Sequence, residues 1–233
     1  MHPKILPLVL VASATALGCD QQPVTPDALS GPQLGMGGGG PPASLAIVAV
    51  SAPAINCKFD TDCTIFVTDF VDHFTFPGAT GDGFLQSRLF PVGEPGTAAE
   101  GLYGYDYRID LRNLAGGTGA HCVSELRVPF GPIVPIDYDD DGNLDDVYVV
   151  TEGGLGTVVP SAATRVGVNI IFSFDPAVCS GVGGSEGETT FFFGLASARS
   201  DRAVKAWIDE TMTGTVVLDA RAPQLGHGHP GAP

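Results

Sequence analysis

The stretch YGYDYRIDL, residues 103–111, decides the fold class of this chain. Its odd-numbered positions are aromatic or aliphatic, whereas its even-numbered positions are glycine or charged. Side chains of a β-strand alternate between the two faces of a sheet, while those of a helix repeat every ~3.6 residues. The stretch is therefore predicted to form a strand. A second segment shows the same alternation and is also predicted to be a strand, with one face made of Val166, Val168, Ile170, Phe172 and Phe174.

Short segments rich in β-branched and aromatic residues recur along the chain, separated by clusters of Gly, Pro, Asp and Asn. The 32 glycines and 19 prolines agree with many turns and few long helices. We predict an all-β fold, an antiparallel β-sandwich or jelly roll of about ten strands. The predicted strands are 45–51, 64–70, 85–90, 102–111, 122–130, 147–151, 165–174, 189–197, 204–208 and 215–221.

The alternation in residues 103–111 also predicts which side chains are buried. The three tyrosines of this stretch would stack on sugar rings if they were exposed. Because their face continues into Ile109 and Leu111, we predict that it is buried instead. The charged residues of the opposite face are then predicted to point to solvent, and they are Asp106, Arg108 and Asp110. Residues 191–197 are predicted to form a core strand in which Gly194 marks a bulge or a close contact.

The N-terminal apolar segment ends in Leu17-Gly18-Cys19. Residues 1–18 combine Lys4 with an apolar run too short to span a bilayer, which predicts a signal peptide. The Leu-Gly-Cys ending resembles the lipobox of bacterial lipoproteins. That resemblance implies cleavage before Cys19, acylation of Cys19 with palmitate-type chains, and a lipid anchor in the bacterial cell envelope. The alternative is plain secretion after cleavage behind Ala16, because residues 14–16 have a small-x-small pattern.

The composition changes along the chain predict its domains. Residues 19–42 are rich in Gln, Pro, Ser and Gly, which predicts a lipidated N-terminus followed by a disordered tether. Residues 43–222 are predicted to form one β-sandwich domain of ordinary size. Residues 223–233 are predicted to be a flexible tail. The sequence offers no second apolar segment of membrane length, so contact with the membrane is expected through the lipid anchor.

The number of cysteines, five, supports the prediction that Cys19 is lipidated. Once Cys19 carries lipid, an even set of four is left, which an exported protein is expected to pair. Four cysteines allow three connectivities, and proximity in sequence favours Cys57 with Cys63 and Cys122 with Cys179. Metal binding by these cysteines is not expected, because they form no Cys-x-x-Cys pair.

An acidic stretch, DYDDDGNLDD at residues 137–146, precedes the predicted strand 147–151. Oxygen ligands at loop positions one, three, five and nine, with a glycine at position six, suit calcium. The pattern resembles the Asp-x-Asp-x-Asp-Gly-x-x-Asp loops of extracellular calcium proteins and the EF-hand loop. Position twelve is Tyr148 and not glutamate, and strands flank the loop, so the extracellular type is the closer match. The resemblance implies side-chain ligands and one backbone carbonyl ligand, which are Asp137, Asp139, Asp141, Asp145 and, through its carbonyl, Asn143. The alternative is an acidic turn without a metal.

Charge and motifs restrict the function. Removal of the leader leaves 10 Lys and Arg against 26 Asp and Glu, a formal charge of −16, so nucleic acid is not an expected partner. Residues 183–187 fit Gly-x-Ser-x-Gly, but a glycine-rich segment surrounds the serine, and we predict a flexible loop. We therefore expect a calcium-stabilised β-sandwich with a binding or structural role rather than an enzyme. A protein or carbohydrate ligand at the cell surface is the expected partner. A carbohydrate-binding module and a carboxylate-based hydrolase are the alternatives.

Overall fold

The computed structural model describes residues 41–117 and 119–226, which form a β-sandwich and confirm the predicted all-β fold. The predicted signal peptide, Cys19, most of the tether and residues 227–233 of the tail lie outside the described residues. In chain order the elements are β1 (Ala43–Ser44), β2 (Ile47–Ser51), α1 (Ala52–Phe59), β3 (Thr68–Phe74), β4 (Ala79–Gly81), β5 (Gly83–Leu89), β6 (Tyr103–Asp110), β7 (Leu114–Gly116), β8 (Cys122–Val128), β9 (Val147–Glu152), β10 (Ala162–Val166), β11 (Asn169–Cys179), β12 (Gly181–Val182), β13 (Phe193–Ser197), β14 (Asp201–Glu210) and β15 (Gly214–Pro223).

Two six-stranded sheets make up most of the molecule. Sheet I is antiparallel and has the strand order β1-β10-β11-β8-β14-β15. Sheet II has the order β2-β9-β13-β6-β5-β3, and all its pairs are antiparallel except β2 with β9. A small third sheet contains β12, β7 and β4. Within the described residues no helix is long and apolar enough to cross a membrane.

The main core lies between sheets I and II. Tyr105, Tyr107 and Ile109 of β6 are almost fully buried there, beside Phe172 of β11 and Phe193 of β13. The rings of Phe172 and Phe193 are 4.6 Å apart between centroids. The predicted burial of the tyrosine face is thus confirmed, and the alternating pattern of β6 supplies this core.

A second apolar cluster covers the outer face of sheet II. It contains Ile55 and Phe59 of α1, Tyr148 of β9, and Phe192 just before β13. The central strands β6 and β13 of sheet II are therefore buried on both faces, whereas the edge strand β3 is mostly exposed.

Helix α1 was not among the predicted elements, and its sequence explains why it forms. Ser51 caps its N-terminus by accepting a hydrogen bond from the backbone N–H of Ala54 at 3.3 Å. Pro53 lies in the first turn, where a missing N–H costs nothing. Its eight residues place Ile55 and Phe59, four positions apart, on the face that contacts sheet II.

The predicted strand 165–174 is wrong in one respect, because the chain reverses within it. β10 ends at Val166, a turn occupies Gly167 and Val168, and β11 begins at Asn169. Gly167 has φ of +61°, a conformation that glycine adopts without strain, and Val168 is exposed. The apolar alternation therefore comes from two hairpin strands and not from a single one.

Other strand boundaries differ from the predicted ones by a few residues. β3 covers Thr68–Phe74 where residues 64–70 were predicted, and β13 begins only at Phe193. β14 and β15 form a ten-residue hairpin pair that is longer than predicted. Both disulfides that sequence proximity favours are present, Cys57–Cys63 and Cys122–Cys179.

Candidate functional site

The acidic loop projects from sheet II and is closed at its base. Ile136 and Asp145 exchange two backbone hydrogen bonds, of 3.1 and 2.9 Å. Between them, Asp140 and Gly142 have φ of +65° and +89°. Asp and Gly are residues that enter this left-handed region at low cost, so the loop turns tightly.

Three carboxylates converge within this turn. Ligand oxygens of Asp137, Asp139 and Asp141 all lie within 4.8 Å of one another. Backbone N–H groups orient them, since Gly142 N–H donates to Asp137 at 2.9 Å and Asn143 N–H donates to Asp141 at 2.8 Å. This group is compatible with a metal ion, which three nearby carboxylates would bind through hard oxygens.

The other two predicted ligands are placed differently. Asp145 is at the base of the loop and does not belong to the converging group. The side-chain amide of Asn143 donates to Asp141 at 2.9 Å. The structure thus brings together three of the five predicted ligands.

The electrostatics of the loop indicate a concentration of negative charge. Burial and then the charges of Asp139 and Asp141 raise the pKa of Asp145 above its usual value. Hydrogen bonds from Asn143 lower the pKa of Asp141. A bound cation would relieve the repulsion that Asp145 experiences.

Two contacts connect the loop to the rest of the fold. Lys58 of α1 forms an ion pair with Asp140 at 2.6 Å, and its side chain is almost fully buried. Tyr138, between two of the converging aspartates, points inward and packs on Tyr148 with ring centroids 4.7 Å apart. The position of the loop is therefore fixed against both α1 and β9.

The most unexpected feature is a line of polar residues on the outer face of sheet II, exposed at Asp69, half-buried at Arg88, and buried at Asp106 and Tyr148. We call Asp69, Arg88, Asp106 and Tyr148 the polar row, because they follow one line across the sheet. Asp69 of β3 is opposite Arg88 of β5, and Arg88 is opposite Asp106 of β6. Tyr148 of β9 is two strands beyond Asp106, on the other side of β13. The register of sheet II alone thus aligns these four residues.

Gly194 makes the last contact of the polar row possible. It lies on β13, directly opposite both Asp106 and Tyr148. The Tyr148 hydroxyl donates a short hydrogen bond to Asp106 Oδ1 across this position. A Cβ at residue 194 would overlap Asp106 Oδ1, and would be 2.7 Å from the Tyr148 hydroxyl oxygen. The predicted close contact at Gly194 is therefore present, and only a residue without a side chain permits it.

The prediction that Asp106, Arg108 and Asp110 point to solvent is wrong. Their exposed fractions are 2%, 8% and 2%, because α1 and the segment around Phe192 cover this face. Asp110 accepts hydrogen bonds from the backbone N–H, Nε and Nη2 of Arg112, and the Arg108 guanidinium lies 5.1 Å from the centroid of the Phe192 ring. The charges are therefore paired or stacked beneath a cover.

Asp69 and Asp106, which lie opposite Arg88 on the two neighbouring strands, have opposite pKa shifts. Burial raises the pKa of Asp106 to about 7 against the opposing effect of the Tyr148 hydrogen bond. Asp69 accepts two hydrogen bonds from Arg88, of 2.7 and 3.1 Å, and these lower its pKa. A buried carboxyl that titrates near neutrality in a cavity is a candidate functional group.

A test of this environment is the pH dependence of stability. Because the folded pKa of Asp106 exceeds the unfolded value, its contribution to stability is complete below about pH 4 and is lost as the pH rises through about 7. Between about pH 5 and pH 7 the free energy of unfolding should fall by about 2 kcal/mol for this reason. Urea denaturation at a series of pH values measures the free energy of unfolding. We expect it to fall between about pH 5 and pH 7 in the wild type and to fall less in Asp106→Asn.

The control for that experiment is Asp62→Asn, an exposed aspartate on the loop after α1. It should reproduce the pH profile of the wild type. A parallel pH profile for wild type and Asp106→Asn would show that Asp106 is ionised over the whole range.

The tyrosines of β6 and Ser185 are two further candidates from the sequence. Tyr105 and Tyr107 are buried and their hydroxyls donate to the carbonyls of Arg199 and Arg221, both at 2.7 Å. These two rings are therefore not available to stack on a sugar. The Ser185 hydroxyl donates to the Val182 carbonyl at 2.8 Å within an exposed turn, in line with the predicted loop.

No protein-family model matches this chain, and no curated protein or solved structure matches it either. The function therefore has to be inferred from the geometry of the acidic loop and of the polar row. The loop was found from its sequence pattern. The polar row was missed, although the glycine in the apolar strand 191–197 pointed to a close approach at its centre.

Proposed function

We propose that this chain is a lipoprotein of the bacterial cell envelope whose β-sandwich is stabilised by one calcium ion and has a binding or structural role. The observation that supports it most is the convergence of Asp137, Asp139 and Asp141 in a closed loop. The lipid anchor rests on the Leu17-Gly18-Cys19 pattern. Two disulfides are compatible with an exported protein, because they persist in oxidising compartments.

Calcium fits the loop better than magnesium for two reasons. The ligands are carboxylates on a tight, solvent-exposed turn, which suits the flexible coordination of calcium. Magnesium demands a strict octahedron and keeps several waters. A site with three converging carboxylates is expected to bind calcium in the extracellular range, with Kd of about 0.1 to 1 mM.

Calcium is therefore expected to stabilise the domain. At about 5 mM calcium, the gain in the free energy of unfolding should be about 1 to 2 kcal/mol, since the ion binds the folded loop selectively. Thermal unfolding in calcium and in EDTA measures this gain. Asp139→Asn should remove most of it, whereas Asp62→Asn, an exposed aspartate outside the loop, should keep it.

Two results would contradict the calcium site. One is an unchanged melting temperature in EDTA together with no heat of calcium binding. The other is an equal loss of the calcium effect in Asp139→Asn and Asp62→Asn, since that would indicate a general charge effect. Unfolding in magnesium at the same concentration is the control for charge screening, because magnesium screens equally but should stabilise the domain less than calcium.

The anchor is tested by intact mass spectrometry of the protein extracted from membranes. We expect an acylated chain that begins at Cys19 and is lighter by four hydrogens for its two disulfides. Cys19→Ala should shift the protein from the membrane fraction to the soluble exported fraction. An unlipidated chain that begins at Leu17 would instead support ordinary secretion.

The two alternatives receive less support. A carbohydrate-binding surface made of Tyr105 and Tyr107 is inconsistent with their burial. A carboxylate-based hydrolase needs an acid and a base that face one cleft. Asp69 and Asp106 have opposite pKa shifts, but Asp69 lines a groove between β3 and β15 while Asp106 lines a different cavity beneath α1.

A further inference from the structure

A cavity of about 230 Å³ lies beneath α1, against the outer face of sheet II. Its wall combines apolar side chains with a few polar ones. The apolar part comes from α1, β9 and the segments next to β5, β9 and β13. The residues that carry the argument are Ile55, Phe90, Leu155, Phe192, Arg88 and Asp106.

Three polar residues line the cavity, Asn56 of α1 together with Arg88 and Asp106 of the polar row. Asp106 is buried against Tyr148, and Arg88 lies beside it on the neighbouring strand. Arg88 donates to Asp69 through Nε and Nη2. Its Nη1 does not take part in these two hydrogen bonds and can donate to a ligand. The guanidinium of Arg88, which Asp69 already pairs from one side, and the carboxyl group of Asp106 thus lie together in the cavity wall.

The chemistry of this pair selects the ligand class. The Arg88 guanidinium lies 4.2 Å from the centroid of the Phe192 ring, so a cationic ligand would compete with it for that aromatic face. A carboxylate is the group that pairs with a guanidinium through charge-assisted hydrogen bonds. A protonated Asp106 adds a donor, whereas an ionised Asp106 would repel the ligand.

We propose that this cavity binds a small organic acid, with its carboxylate at Arg88 and Asp106 and a compact apolar body against Ile55, Phe90 and Phe192. The volume is below the usual range for drug-sized ligands, which limits the body to about one ring. Leu155 is 68% exposed at the rim, as expected for a side chain that a ligand would cover. The proposal is independent of the lipid anchor and of the calcium ion.

Binding is expected to depend on pH through Asp106. The charged and titratable groups around it are Arg88 of β5, Asp69 of β3, Tyr148 of β9 and Tyr138 of the acidic loop, while Gly194 of β13 contributes none. Burial sets the pKa of Asp106 at about 7. Because the neutral form accepts the anion, affinity should fall about tenfold from about pH 6 to pH 8.

The experiment is a titration of the mature protein with benzoate, followed by calorimetry and by ligand-observed NMR. Benzoate is expected to bind with a Kd of about 1 mM at about pH 6, as a ligand of this size permits. Benzamide has the same shape without the charge, and should bind at least about tenfold more weakly. Benzylammonium should not bind.

Variants assign the site to this cavity. Ala52→Leu fills the cavity from α1, and should abolish benzoate binding without loss of fold, because Ala52 is only partly buried. Asp106→Asn cannot ionise, so it should remove the pH dependence of benzoate affinity between about pH 6 and pH 8. The matched control is Asp110→Asn, a buried aspartate on the same strand that does not line the cavity.

Three results would overturn the proposal. They are the absence of benzoate binding up to about 10 mM, equal affinities for benzoate and benzamide, and unchanged binding in a folded Ala52→Leu variant. Circular dichroism of each variant establishes that it is folded. Addition of EDTA should not change benzoate affinity, so failure of the calcium site and failure of this cavity are distinguished.

Discussion

Gly194→Ala is expected to lower the free energy of unfolding by about 3 to 5 kcal/mol. The new Cβ would overlap Asp106 Oδ1 and lie 2.5 Å from the backbone oxygen of Tyr105. A backbone oxygen in the middle of a sheet does not move aside cheaply. The side chains of Asp106 and Tyr148 would have to separate, which leaves two buried polar groups without their shared hydrogen bond.

Urea denaturation of the variant measures this loss. The control is Gly119→Ala, because a Cβ there meets no atom within 4 Å and the backbone is not in the left-handed region. It should change stability by less than about 0.5 kcal/mol. A similarly small effect of Gly194→Ala would show that Asp106 and Tyr148 do not need to meet across β13.

The polar row also shows where sequence reasoning about β6 succeeds and where it stops. Alternation in residues 103–111 predicted one buried face, and Tyr105 and Tyr107 occupy it. The same logic placed Asp106 in solvent, because a strand with charged alternate residues usually exposes them. Asp106 is buried because α1, which is distant in sequence, covers that face, and no local pattern in β6 contains this information.

The sequence feature that could have predicted the polar row is the complementary charge of residues on neighbouring strands. Arg88 and Asp106 are directly opposite, but this follows only once β5 and β6 are aligned in register. The acidic loop was easier, since its ligand spacing is local and the chain between Asp137 and Asp141 is short. Local spacing predicted five ligands, and the carboxylates of three converge, whereas Asp145 is held at the base of the loop by its pairing with Ile136.

Removal of the second disulfide, in Cys122→Ala/Cys179→Ala, should destabilise the protein by about 4 kcal/mol. The bridge joins residues 57 positions apart, so its loss releases a long loop in the unfolded chain. The two cysteines are opposite each other on β8 and β11. Those strands provide Leu126 and Phe172 to the core, so the bridge also holds two central strands together.

The comparison is Cys57→Ala/Cys63→Ala, which removes a bridge between residues only 6 positions apart. Loop entropy predicts a loss of about 2 kcal/mol for it, half of the loss for the long bridge. Denaturant unfolding of both double variants measures the two losses. Equal losses would mean that local effects at the bridges outweigh the entropy of the unfolded chain.

Together the two bridges should contribute about 6 kcal/mol, which is comparable to the whole stability of an ordinary domain. A reduced chain is therefore expected to be largely unfolded at physiological temperature, and only an oxidising compartment would maintain the fold. This expectation connects the disulfides to the proposed export, because both bridges persist in an oxidising compartment. A reduced protein that stays folded, with an unchanged melting temperature, would remove that connection.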